Sequence, residues 1–210
     1  MSNSESNETL TRMGPGAAMG RVFRQFWQPA LLSEELPVAD CPPVRVRLMG
    51  EDFVAFRDSS GKVGLLDAHC PHRLADLFFG RNEEGGLRCV YHGWKFSVAG
   101  EILDMPSEPQ GSPMRCNPNL RAKAYPVREA GGIIWAYLGP QESMPALPDM
   151  EFMSLPPQNV HVSKCLMKCN YLQALEGSID TAHLTFLHHS MAPMEKDVFA
   201  VGNLQEFGDA

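Results

Sequence analysis

Apolar and basic residues alternate with a period of two over 44–49, where Val44, Val46 and Leu48 interleave with Arg45 and Arg47. Alternation of this kind predicts a half-buried strand. Two apolar runs, 52–58 and 62–68, flank Asp58-Ser59-Ser60-Gly61, which is a hairpin signal. Further short strands are expected over 87–94, 95–100 and 101–106, with a turn at Ala99-Gly100. Residues 122–139 read as another hairpin turning at 129–132, and 159–170 as one more strand. Helical spacing is confined to the two ends. Residues 17–30 set Val22, Phe23, Phe26 and Trp27 near one face, with Pro29 as a stop signal. Residues 171–190 are mostly helical, interrupted at Gly177. The first dozen residues are polar and expected to be frayed, and the Pro-rich stretch 140–150 reads as a linker. The fold class is mainly β: an antiparallel domain of short strands, preceded by a short helix and followed by a helical segment.

Composition narrows the partners. Hydrophobic residues make up 44% and charged residues 20%, ordinary for a globular chain. The net charge of −7 argues against nucleic acid or an anionic membrane as partner. No apolar run approaches the length of a membrane span, and the N-terminus lacks the basic and apolar regions of an export signal, so a cytoplasmic location is expected. The six cysteines are then read as thiols or metal ligands. Cys41, Cys116, Cys165 and Cys169 have no histidine at ligand spacing and are expected to be small buried hydrophobes.

Cys70 and Cys89 differ. The chain reads Cys70-x-His72 and then Cys89-x2-His92. Two thiolates and two imidazoles suit tetrahedral zinc, and a structural zinc module is one reading. Zinc fingers, however, commonly pair cysteine with cysteine and histidine with histidine. Here each knuckle holds one of each. That order suits two irons better, with one iron taking both cysteines and the other both histidines. It is the ligand set of a Rieske [2Fe–2S] centre. Neutral imidazole in place of thiolate removes negative charge and eases reduction, to about −150 to +300 mV against about −400 mV for plant-type clusters.

A second group follows at Asp180-x2-His183-x4-His188. Asp180 and His183 are three apart and would be neighbours on a helix. His183 and His188 are five apart, about 140° around a regular helix. They cannot both face one ion unless the helix ends or kinks between them. Spacing alone does not choose His188 over His189. Glu176 reads equally as a group near the metal or as a helix-face carboxylate.

The full patterns, Cys70-Pro71-His72-Arg73 and Cys89-Val90-Tyr91-His92-Gly93-Trp94, resemble the Rieske signature, and residues 170–189 resemble the iron-binding segment of Rieske non-haem iron oxygenases. Residues 10–190 as a whole are most similar to the phthalate 4,5-dioxygenase type of oxygenase component. The resemblance implies that Cys70, His72, Cys89 and His92 hold [2Fe–2S]. It gives Gly93 a close backbone approach, Trp94 a shielding position at the cluster edge, and Arg73 a place beside the ligands. It implies His183 and His188 as ligands of a mononuclear Fe(II), completed by a downstream carboxylate. Asp180 would link His183 to His92 of a neighbouring subunit, in rings of three. Electrons would come from NAD(P)H through a flavin and iron–sulfur reductase, and O2 would be activated against an aromatic, phthalate-like substrate. Some relatives are demethylases or monooxygenases, and a stand-alone Rieske electron carrier is the rival from another class.

The domains expected on this basis are a helical segment at 1–40, a Rieske domain at 41–140, a linker at 141–158, and the beginning of an α+β catalytic domain at 159–210. Glu195, Asp197, Glu206 and Asp209 stand in no recognisable ligand context. The expectation is therefore an N-terminal portion of a longer oxygenase, one that binds [2Fe–2S] without oxygenase activity of its own.

Overall fold

The computed structural model describes residues 4–187, and the chain divides into two units, Met1–Cys165 and Leu166–Ala210. The polar N-terminus, expected to be frayed, is instead helical over α1 (Ser4–Thr11). Glu8 and Arg12, one turn apart, pair at 2.8 Å and support it. The helix expected over 17–30 is shorter. Helix α2 covers Ala18–Phe23, and strand β1 follows at Trp27–Leu32. Pairing with a distant strand overrides the local helical spacing there. Pro29 has no N–H to donate, and β1 is an edge strand with a bulge between Pro29 and Leu31. Residues 1–40 thus supply a strand to the β domain and are not a separate helical segment.

The hairpins predicted from alternation are present as β2 (Val44–Leu48), β3 (Glu51–Arg57) and β4 (Val63–Asp67). Four short strands follow: β5 (Arg81–Glu83), β6 (Gly86–Arg88), β7 (Lys95–Phe96) and β8 (Ile102–Asp104). Then come β9 (Ala124–Tyr125), β10 (Val127–Ala130) and β11 (Ile133–Tyr137). They form three antiparallel sheets, β1-β11-β10, β2-β3-β4-β9 and β5-β6-β7-β8. β5 is polar and carries no strand signal. The strand expected over 87–94 stops at Arg88, because Cys89–Trp94 closes a tight turn.

β3 sits at the centre. Phe53 and Ala55 face a core shared with Leu31, Val46, Leu65 and Ile134. Val54 and Phe56 point the other way, into a core with Leu66, Leu77, Leu87, Trp94 and Phe96. Successive residues of a strand alternate faces, so a strand covered on both sides reads as an unbroken apolar run. All four of these β3 residues are at most 1% exposed. The second core also holds Cys70 and Cys89.

Residues 140–154 do not behave as a loose linker. Met144, Leu147, Met150, Phe152 and Met153 pack on Trp27, Trp135 and Tyr137. Trp27 Nε1 donates to the Pro145 carbonyl at 2.9 Å. The strand expected over 159–170 is not formed; residues 163–170 are exposed and join no ladder among the described residues. Cys41 is buried as expected, but Cys116, Cys165 and Cys169 are exposed.

In the second unit, α3 spans Tyr171–Ile179 and α4 spans Leu184–Leu187. The Asn170 side chain caps α3 by accepting from the Leu172 N–H at 3.0 Å. Gly177 does not interrupt the helix, which continues to Ile179. No helix among the described residues is long and apolar enough to cross a membrane.

Candidate metal centre

The two Cys/His knuckles are built on one template. In the first, the Leu74 N–H donates to the Cys70 carbonyl and the Cys70 N–H to the Ala75 carbonyl, both at 2.9 Å. In the second, the Gly93 N–H donates to the Cys89 carbonyl at 3.0 Å and the Cys89 N–H to the Trp94 carbonyl at 2.8 Å. Each turn has its fourth residue after the cysteine in the left-handed region, Leu74 at φ 57° and Gly93 at φ 75°. Glycine is the natural occupant of that conformation. At Gly93 a second constraint applies, since a Cβ there would lie 2.7 Å from Pro106 Cγ.

The turns grow from the β core and are tied to it. Asp76 accepts from the Phe78 N–H at 2.9 Å and pairs with Arg45 at 2.7 Å, which fixes the first knuckle's exit. Arg88 fixes the second: its Nη1 donates to the Gly93 carbonyl at 2.7 Å and to Asp104 at 2.8 Å, and its Nε to Glu83 at 2.7 Å. Sequence reading missed Arg88. Its position beside Cys89 was the only available signal.

The four side chains separate by chemistry. Cys70 and Cys89 are 2% and 3% exposed, within the apolar core, and their thiols interact directly. Burial pushes the Cys70 thiol up to about 11, the neighbouring Cys89 sulfur adds to this, and N–H groups of His72 and Arg73 oppose it. A buried sulfur of that kind becomes a thiolate when a cation binds it. The two imidazoles meet edge to face, with ring centroids 4.6 Å apart. His72 also stacks on Trp94, centroids 4.4 Å apart and planes 1° from parallel. Burial, then His92 and Arg73, holds the His72 imidazole below its usual range, and Glu108 acts in the other direction. The neutral ring favoured by this is the metal-binding form. Arg73 itself is exposed.

Among the described residues, no three His, Cys, Asp or Glu side chains are grouped to hold one metal ion. A single tetrahedral zinc needs four donors on one point. A sulfur pair and a separate imidazole pair instead fit the two ends of a binuclear cluster.

The second candidate group differs from expectation in one respect. The helix breaks before His183, between α3 and α4, and so separates Asp180 from His183. Asp180 Oδ1 accepts from the Ala182 N–H at 2.9 Å. Its Oδ2 lies 3.3 Å from His183 Nδ1. The pair is therefore joined through a turn, not along a helix face. The Ala182 N–H, with help from His183, holds the Asp180 carboxyl below its usual range. Glu176 is exposed and accepts from Gln173 at 3.2 Å, as a helix-face carboxylate does. His188, His189, Glu195, Asp197, Glu206 and Asp209 lie outside the described residues.

Residues 26–126 match the Rieske [2Fe-2S] domain, and 136–202 match the LigXa C-terminal domain like family. The chain is 49% identical over 188 residues to the 3-chlorobenzoate-3,4-dioxygenase oxygenase subunit of Comamonas testosteroni, covering 90% of this chain and 43% of that protein. It is 45% identical to the phthalate 4,5-dioxygenase oxygenase subunit of Pseudomonas putida, with 90% and 43% covered. The chain belongs to the Rieske oxygenase family. A solved relative of this Rieske oxygenase chain is dicamba monooxygenase bound to dicamba, with a TM-score of 0.54 and 30% identity, covering 60% of this chain and 38% of that one. The Rieske oxygenase chain spans less than half the length of the curated relatives it matches. The matched Rieske domain brings a [2Fe–2S] cluster with it, and dicamba monooxygenase has also been solved with non-haem iron.

Proposed function

We propose that this chain works in an oxygenase component that hydroxylates an aromatic, phthalate-like molecule with O2. The electrons originate on NAD(P)H and arrive through a flavin and iron–sulfur reductase. The observation that carries this reading is the division of the first site, with two cysteines sunk in the core and two imidazoles paired beside them. Cys70 and Cys89 would hold one iron of the cluster, and His72 and His92 the other. His183 and His188 would hold the mononuclear iron. When bound, the cluster supplies one-electron transfer and the single iron supplies O2 activation.

The chain's own groups do the rest. Trp94 and the apolar core keep water from the sulfurs. Arg73 adds positive charge beside His72. Asp180 orients the His183 ring through Nδ1 and presents a carboxylate toward His92 of a neighbouring subunit in a cytoplasmic trimer. The domain scheme is a β domain ending near 140, a docked segment through 158, and the start of the catalytic domain. The likeness to dicamba monooxygenase favours a second reading, monooxygenation of an aromatic molecule, and a 43% identical O-demethylase oxygenase subunit extends that reading to demethylation.

Reconstitution with iron and sulfide tests the first site. The expected result is a Rieske-type absorption spectrum that bleaches with NADH and reductase as the EPR signal of the reduced cluster appears, and Cys70→Ser should abolish both. Zinc without acid-labile sulfide would sink the reading. At the second site, Asp180→Asn in the full-length oxygenase should leave both metals bound while slowing oxidation of the reduced cluster by O2. Unchanged kinetics would remove Asp180 from the path.

A further inference from the structure

Residues 105–116 form a strap that touches both knuckles. Pro106 fills the space beside Gly93, and the Ser107 hydroxyl accepts from Trp94 Nε1 at 3.2 Å. Arg115 closes the strap on itself by donating to the carbonyls of Met105 and Glu108. Within it, the Ser112 hydroxyl donates to Glu108 Oε2 at 3.0 Å. The other oxygen, Oε1, faces His72 Nε2 at 4.0 Å. Both side chains are largely enclosed, His72 at 12% and Glu108 at 14% exposure.

That distance is too long for a hydrogen bond and short for a charge interaction. A histidine that ligates a metal through one nitrogen characteristically turns the other toward a carboxylate, which fixes the ring and tunes the metal. Among the described residues the ring contacts of His72 are aromatic: the Trp94 plane on one face and the His92 edge beside it. Neither sets rotation of the ring within its own plane. The Glu108 charge facing Nε2 favours one in-plane orientation over the others.

We propose that Glu108 is a positioning residue for the cluster, setting the orientation of His72 and lowering the reduction potential by its charge. This rests on the reading that His72 is a cluster ligand. A fixed negative charge beside the site opposes the arrival of an electron, and enclosure weakens solvent screening of that charge.

An EPR-monitored redox titration of the reconstituted 210-residue chain at neutral pH tests it. Glu108→Gln should raise the midpoint, shifting the reduced-to-oxidised ratio about tenfold at the wild-type midpoint, or about 59 mV for one electron. Glu108→Asp, which keeps the charge, should stay closer to wild type. Ser112→Ala, which leaves the carboxylate in place but unheld, should move the midpoint part of the way. It also serves if Glu108→Gln fails to retain cluster. A merely structural role would alter thermal stability without moving the potential. Unmoved midpoints in variants that retain the cluster overturn the proposal. Absence of a Rieske-type signal in the wild-type chain overturns instead the ligand assignment on which it rests.

Discussion

His72 and Trp94 lie face to face, with ring centroids 4.4 Å apart and planes within 1° of parallel. Trp94 is fully buried and His72 almost so, which makes the stack a bridge between the β core and the candidate metal centre. Trp94→Ala removes a core side chain and should cost about 3–5 kcal/mol of stability. Trp94→Phe keeps a stacking face but loses the bond to Ser107, and should cost about 1 kcal/mol beyond the lost area. Urea unfolding separates the two. Equal losses in both variants would deny the stack any part in stability.

The matched turns predict opposite responses to glycine. Gly93→Ala meets both a left-handed backbone and Pro106, so a loss of about 1–3 kcal/mol is expected. Leu74 already bears the left-handed cost and is 72% exposed. Leu74→Gly relieves strain and adds unfolded-state entropy, so it should stay within about 1 kcal/mol of wild type. Thermal midpoints of the two variants check the contrast.

Arg88 joins the second knuckle to Glu83 and Asp104. Arg88→Lys cannot reproduce three separately directed N–H bonds. The β fold should persist, while iron is lost to a chelator about 10–100 times more readily. Chelator-exchange rates followed by absorbance give the comparison, and wild-type rates would show that the knuckle needs no such anchor.

Acid stability should carry a contribution from Glu129. Arg57 grips its carboxylate with two bonds, at 2.8 and 3.0 Å, and holds its pKa below the ordinary 4.5. A depressed carboxyl stabilises the fold above its unfolded value and loses that contribution as pH falls through the folded value. Glu129 is 37% exposed, so the effect should be below about 1 kcal/mol. Urea midpoints measured from pH 6 to 3 should fall more steeply for wild type than for Glu129→Gln. Parallel curves would exclude the linkage.

The central strands were legible because strict alternation and the Asp58–Gly61 turn signal both act locally. The Cys/His knuckles were legible because metal chemistry restricts residue type. A break was expected between His183 and His188, of which His188 lies outside the described residues; the break seen comes before His183, where the Asp180 carboxylate takes the Ala182 N–H. What escaped was tertiary. β1 was read as helix because Trp27 continues the helical spacing of Val22, Phe23 and Phe26, and only pairing with β11 decides against it. The Pro-rich stretch after 140 hid a methionine-rich packing face. Glu108 lies 36 residues beyond His72, and no spacing rule connects them.

β3 is enclosed by sheets on both sides, and the core on one of those sides holds both cysteines. Hydrocarbon conducts charge poorly and admits no ions. A redox centre held by these four side chains is therefore insulated behind its sulfurs, and its traffic is confined to the imidazole end. The polarity of the wire is set by where the β sheets keep their oil, before any partner approaches.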